Sequence, residues 1–196
     1  MRIISGKHKG RRISPPKNLP VRPTTDMSKE SLFNILNNHF DFDGLKVLDL
    51  FAGTGNLSYE FGSRGADNIT AVDADFGCIK YIKQMATELD LNISAIKGDV
   101  YKFLKTHKAA YDIIVADPPY HSDQKEFEAV VTTVFENELL HEEGMMIIEH
   151  SKHTSLEHMM NWSFSKKYGG SIFSFFEMEK DLTDESINED TDVEEL

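Results

Sequence analysis

Lys46-Val-Leu-Asp-Leu-Phe-Ala-Gly-Thr-Gly55 joins a short apolar run to a pair of glycines. Residues 46 to 51 read as a buried strand. Gly53 and Gly55 then form a turn whose backbone, with no side chain in the way, can approach a ligand, and the following helix aims its N-terminus at the same place. Taken alone, the same glycines serve equally well for tight strand-to-helix packing. Ser58 stands where the third glycine of a diphosphate-binding G-x-G-x-x-G would fall, so that fingerprint is incomplete. Asp49 precedes the glycines instead, and a carboxylate there suits a ligand carrying an ammonium or sulfonium better than one carrying a pyrophosphate.

Outward from this stretch, apolar runs alternate with helical patterns. Asn68 to Val72, Asn92 to Ile96, Tyr111 to Ala116 and Met145 to Ile148 read as further strands, and Gly77 to Leu89 carries Ile79, Ile82, Met85, Ala86 and Leu89 at helical spacing. Strands separated by helices imply parallel pairing through right-handed crossovers. Trp162 to Tyr168 and Ser171 to Phe176 flank Gly169-Gly170, a hairpin signal that adds two strands to one edge, at least one of them antiparallel. The expected fold is α/β, a mostly parallel seven-stranded sheet with a C-terminal antiparallel hairpin and a small N-terminal extension. Arg2 to Ser5 and Arg11 to Ser14 suit a small hairpin around Gly6 and Gly10. A helix is expected from about Asp26 to Asn38, capped by Asp26, with Leu32, Phe33, Ile35 and Leu36 buried. The chain divides into a basic arm over residues 1 to 25, a main domain over 26 to 180 and an acidic tail over 181 to 196, expected to be disordered.

The 196 residues suffice for one good core. Cys78 is the single cysteine, so no intrachain disulfide forms. No segment approaches the roughly 20 apolar residues of a membrane span, and the N-terminus lacks the apolar core of a signal peptide. A soluble, cytoplasmic protein is expected. The net charge of −12 is unevenly spread: residues 1 to 30 hold eight Lys/Arg against two acids, and residues 181 to 196 hold eight acids and no Lys/Arg. A basic arm beside an acidic body orients a polyanion rather than gluing it, although a solvated arm would look the same.

Acidic residues recur at strand ends. Asp73, closing the second strand, can accept hydrogen bonds from both hydroxyls of a ribose, or cap a helix, a job that Asp75 can also fill. Asp99 follows the third strand within reach of an adenine amino group, and is alone more often a cap. Three such residues on one sheet edge describe a nucleoside site. Asp117-Pro-Pro-Tyr120 leaves the fourth strand at the same crevice. The prolines hold the chain extended, so the Asp117 carboxylate and the Pro118 carbonyl can both accept from an exocyclic amino group, with Tyr120 stacking on the base.

With these residues the sequence resembles the class I S-adenosylmethionine-dependent methyltransferases, in the amino-methylating branch marked by [DN]-P-P-[YFW]. Within it the sequence is similar to the RsmD family, which methylates N2 of a guanine in 16S ribosomal RNA. Arg2-Ile-Ile-Ser-Gly, Lys9-Gly-Arg-Arg-Ile13, Val21-Arg-Pro-Thr-Thr-Asp26, Leu32-Phe-Asn-Ile-Leu36, Asp49 to Gly55 and Asp117 to Tyr120 carry the likeness. Met27 and Lys29 stand where the family pattern has arginine. The resemblance implies a Rossmann-like fold and S-adenosylmethionine as cofactor. It places Asp49, Phe51, Gly53 and Gly55 around the methionine part, Asp73 at the ribose, Asp99 and Val100 at the adenine, and Thr24 and Thr25 over the cofactor. Asp117, Pro118 and Tyr120 would bind the target guanine, in 16S rRNA or the small ribosomal subunit, and a monomer is favoured.

Residues 56 to 116 are consumed by strands and helices, which leaves no room there for a DNA-reading region. The basic arm is therefore the expected RNA contact, through Arg2, Lys7, Lys9, Arg11, Arg12 and Arg22. Metal-free methyl transfer needs no metal ligands, and His150 and His153 read as a solvated helix start. Phe173, Phe175 and Phe176 read as hairpin core. The rival readings are methylation of adenine in DNA or RNA or of a protein glutamine, and an RNA-binding assembly factor without turnover.

Overall fold

A computed structural model describes residues 1–20, 25–119 and 121–178. Each apolar run of the sequence becomes a strand: β1 (Lys46–Leu50), β2 (Asn68–Asp73), β3 (Ile93–Lys97), β4 (Tyr111–Ala116), β5 (Leu140–Ser151), β6 (Trp162–Tyr168) and β7 (Ser171–Glu177). The helices are α1 (Asp26–Leu36), α2 (Asn56–Arg64), α3 (Phe76–Glu88), α4 (Val100–Thr106) and α5 (Gln124–Glu136). One seven-stranded sheet runs β3-β2-β1-β4-β5-β7-β6. The first five strands are parallel, while β7 pairs antiparallel with β5 and β6 antiparallel with β7. The expected mostly parallel sheet with an antiparallel hairpin is what forms.

Strand alternation sorts the core into two layers. Val47, Ile69, Ile113, Val115, Met145 and Ile147 face α1 and α2, packed on Phe33, Phe42 and Phe61. Leu48, Leu50, Ile114, Ala116, Met146 and Ile148 face α4 and α5, packed on Leu104, Phe127 and Val130. Each fully buried Leu, Ile or Phe contributes about 1.5–3 kcal/mol by leaving water. The phenylalanines of the hairpin divide between these layers, Phe173 and Phe175 in the first and Phe176 in the second, so they are core as expected.

Several boundaries differ from the sequence reading. Thr25, rather than Asp26, caps α1, because its side chain accepts the Ser28 N–H at 3.1 Å while Asp26 already belongs to the first turn. That helix ends at Leu36, two residues early. β5 is much longer than Met145 to Ile148: it meets β4 at Leu140 and again from Met145 to Ile148, and it pairs with β7 from Met145 to Ser151. His150 consequently lies inside β5, buried, and not at a solvated helix start. Its Nδ1–H donates to the Ser151 carbonyl at 2.9 Å and its Nε2 accepts from the Ser174 hydroxyl at 2.8 Å. His153 sits in a turn.

The front of the chain forms the expected small hairpin, as a single bridge between Arg2 and Arg12. It is packed down rather than free. Ile3 and Ile13 are buried against Tyr59 of α2 and Met85 and Leu89 of that cluster. Both Glu60 oxygens accept from the hairpin backbone, from Ile4 N–H at 2.8 Å and Ser5 N–H at 3.0 Å. Glu60 also meets Arg64 at 2.8 Å and the fully buried Lys29 of α1 at 3.3 Å. Lys29 in turn donates to the Arg2 carbonyl at 2.6 Å and to Asn56 Oδ1 at 2.9 Å, tying the hairpin to the first residue of α2. Gly6 permits this docking: its φ is +80°, and an added Cβ would lie 1.7 Å from the Ser63 carbonyl oxygen. The tail from residue 181, Arg22, Thr24 and Tyr120 lie outside the described residues. No helix among the described residues is long and apolar enough to cross a membrane.

Candidate active site at the strand ends

The strand order reverses between β1 and β4, since β2 and β3 lie to one side and β5 to the other. That switch point opens a crevice at the carboxyl ends of the strands. The turn after β1 fills one side of it. Phe51 leaves the strand with φ 59°, in the left-handed region, and Gly53 and Gly55 follow at 52° and 83°. A non-glycine residue in that region costs on the order of 1–2 kcal/mol and persists because its surroundings hold it. Here the Ala52 N–H donates to the Val72 carbonyl at 3.0 Å, and the Gly55 N–H closes the turn on Ala52 at 2.8 Å. Gly55 cannot be replaced without movement, because a Cβ would lie 2.7 Å from the Tyr59 ring.

Asp73 braces this turn. Its Oδ2 accepts the Gly53 N–H at 2.8 Å and its Oδ1 the Asp75 N–H at 2.8 Å. Asp75 is the cap of α3, accepting the Cys78 N–H at 2.8 Å, which leaves Asp73 at the strand end facing the turn. Asp49 lies beneath the same turn, almost wholly buried, where its Oδ2 accepts both the N–H and the hydroxyl of Ser58, at 3.1 and 2.5 Å. Burial pushes the Asp49 carboxyl up to about 7, against those hydrogen bonds and with help from the nearby Asp73 charge. Asp99 takes the capping role, accepting the Lys102 N–H at 2.9 Å at the start of α4, and Val100 beside it is buried in the core. Thr25, as cap of α1, does not meet any of these groups in a hydrogen bond.

Asp117 follows β4 directly, with its N–H directed at the Leu50 carbonyl at 3.4 Å. Burial raises its carboxyl well above the ordinary range, and the charges of Glu149 and Asp49 raise it further. Asp117 and Pro118 line a cavity of about 50 Å³ together with Phe127, Glu149, His150 and Ser151. The sequence reading missed Glu149. Its signal was nonetheless the one used elsewhere, an acid closing an apolar strand run, here Met145 to Ile148. Alternation puts Asp49, Asp73 and Glu149 on the α1–α2 face of the sheet, and Asp117 continues the parity of Ile113 and Val115. Four acidic residues thus stand at or near the carboxyl ends of four adjacent strands, Asp73 closing β2, Asp49 one residue inside β1, Asp117 just past β4 and Glu149 two residues inside β5.

The basic arm is partly spoken for. Arg11 pairs with Glu88, Lys7 with Asp90 at 3.3 Å and Arg2 with Asp26 at 3.5 Å. Lys9 and Arg12 are exposed and make no ion pair among the described residues. Cys78, buried in α3, has its thiol pushed up to about 12 by burial and by Asp73 and Asp75, so it is no nucleophile at neutral pH.

This row of acids fits a cationic sulfonium nucleoside, whose charge would favour the ionised form of carboxyls that burial otherwise drives toward the protonated one. Carboxylates beside the glycine turn complement positive charge and hydroxyl donors, and they would repel a pyrophosphate. Residues 1–177 match the family described as conserved hypothetical protein 95. The chain is 37% identical to the putative rRNA methyltransferase YlbH of Bacillus subtilis, over 80% of this chain and 85% of that one. It is 30% identical to ribosomal RNA small subunit methyltransferase D of Escherichia coli K12, over 85% of this chain and 83% of that one. Among solved structures, the putative methyltransferase yhhF of Escherichia coli superposes with a TM-score of 0.76 at 27% identity, covering 91% of this chain and 99% of the other. Further solved methyltransferases with this fold hold S-adenosylmethionine.

Proposed function

The chain belongs to the family of the ribosomal RNA small subunit methyltransferase D enzymes, S-adenosylmethionine-dependent methyltransferases, and from that premise we propose that it methylates the N2 amino group of a guanine in 16S rRNA. The observation that supports the reading is that Asp117 leaves β4 beside the end of β1, its N–H directed at the Leu50 carbonyl across the switch point, while Asp49 and Asp73 flank the glycine turn that follows β1. That substrate implies a cytoplasmic enzyme, and we take it to act as a monomer.

When bound, S-adenosylmethionine would supply an electrophilic methyl group on a sulfonium, with a neutral thioether as the leaving group. Asp49 and Asp73 stabilise positive charge in the crevice, and Asp73 keeps the Gly53 backbone in place. Asp117 and the Pro118 carbonyl accept from the two N–H bonds of the target amino group. That draws the nitrogen lone pair out of conjugation and aims it in line with the methyl. The raised proton affinity of Asp117 suits it to take the proton that the nitrogen sheds. Tyr120 is proposed to stack on the base, and Thr24, Thr25, Asp99 and Val100 to border the cofactor. Among the described arm residues, Lys9 and Arg12 are the best-placed phosphate contacts.

Asp117→Ala and Asp117→Asn test this assignment. Both should retain cofactor affinity within a factor of about three while turnover on unmodified small-subunit RNA, free or assembled, drops about 10²–10³-fold. Full turnover in Asp117→Ala would remove the tetrapeptide from the site.

A further inference from the structure

The cavity beside Asp117 is lined by a second acidic residue, Glu149, whose charge acts on the Asp117 carboxyl and which the methyl-transfer chemistry does not require. Ala116 of β4 pairs with Ile148 of β5, so Asp117 and Glu149 are the next residues on two adjacent parallel strands. Both line the same cavity of about 50 Å³. Glu149 remains within β5, one residue past the last pair with β4 and still paired with Phe173 of β7, so its backbone is held by the sheet rather than by a loop. His150 next to it is held by Ser151 and Ser174, and Phe127 closes the wall with its ring edge-on to His150 at 6.2 Å.

A base at the mouth of this cavity with its amino group on Asp117 presents its neighbouring ring nitrogen to the adjacent strand. In guanine that nitrogen is N1–H, a donor. In adenine it is N1 with a lone pair, an acceptor. A carboxylate attracts the first and repels the second. We propose that Glu149 is the specificity-determining residue of the site, accepting the guanine N1–H beside the N2 amino group held by Asp117, and so excluding adenine. The inference rests on the function proposed above and adds to it the residue that selects the base.

The test uses the full chain with unmodified 16S RNA and labelled S-adenosylmethionine, comparing wild type, Glu149→Gln, Glu149→Ala and Asp117→Ala, with digestion to nucleosides. Glu149→Gln keeps the shape and replaces one acceptor by an amide donor. It should lower kcat/KM for N2-methylguanosine about 10–100-fold and raise the share of label in methyladenosine, with cofactor affinity and Tm unchanged. Guanine methylation within twofold of wild type in both Glu149 variants, alongside its loss in Asp117→Ala, would overturn the role of Glu149 and leave the methyltransferase reading intact. Loss of cofactor affinity and Tm together with activity would mark Glu149 as structural and overturn the proposal as well. No N2-methylguanosine from wild type would remove both readings.

Discussion

Asp49 is a carboxyl group kept out of water, with no cation paired to it among the described residues. Its folded-state pKa of about 7 lies above the ordinary carboxylate value of 3.8, so the folded chain holds a proton that the unfolded chain releases between those limits. Its contribution to stability is therefore present below about pH 4 and is lost as pH rises through 7. Asp117 adds in the same direction. The ligand-free protein should lose roughly 5 °C or more in Tm between pH 5 and 7.5, and Asp49→Asn should flatten that slope; an equal slope in the variant would place the titration elsewhere. Three of the four strand-end acids were legible in the sequence, because Asp49 and Asp117 are punctuated by Gly-x-Gly and Pro-Pro and Asp73 follows at a suitable distance. Glu149 was not, because β5 runs on through it to Ser151 without a glycine or proline to mark the strand end.

At the scale of elements, the glycine turn is supported from behind by the docked hairpin and α1. The buried Lys29–Glu60 pair carries much of that support. Its cost is visible in Lys29, whose pKa is lowered by burial against the opposing pull of Glu60. Lys29→Met leaves Glu60 buried with one cation fewer, so it should cost about 3–5 kcal/mol in denaturant unfolding. Gly6→Ala meets both a positive φ and the Ser63 carbonyl, and should release the hairpin to proteolysis at a cost of about 2 kcal/mol. A variant as protease-resistant as wild type would mean that the hairpin is not held at Gly6. The strands and the Gly169-Gly170 hairpin were readable because local alternation and turn residues decide them. The seating of the arm was not, since Arg11–Glu88 and Lys7–Asp90 join residues 77 and 83 positions apart.

For the whole molecule, a net charge of −12 disfavours indiscriminate binding to nucleic acid and makes the distribution of the basic residues decisive. With Arg2, Lys7 and Arg11 engaged by Asp26, Asp90 and Glu88, the arm offers fewer charges to phosphate than its composition suggested. Arg12→Glu should weaken RNA binding and make the dependence of log affinity on log salt shallower by about one, with Tm and cofactor affinity unchanged. Arg11→Glu breaks an exposed pair and should add only about 1 kcal/mol of destabilisation to any RNA effect. The seven-stranded architecture followed from the alternation of strands and helices, whereas the order of the strands could be read only once they were paired. The central claim, that the carboxylates at the strand ends build one amino-methylating site for guanine, is tested most directly by the chemical identity of the product. Unmodified 16S RNA is incubated with the wild-type protein and labelled S-adenosylmethionine, digested to nucleosides and separated. Label in N2-methylguanosine is the predicted result; label confined to methyladenosine, or none in RNA while the cofactor binds, would contradict it.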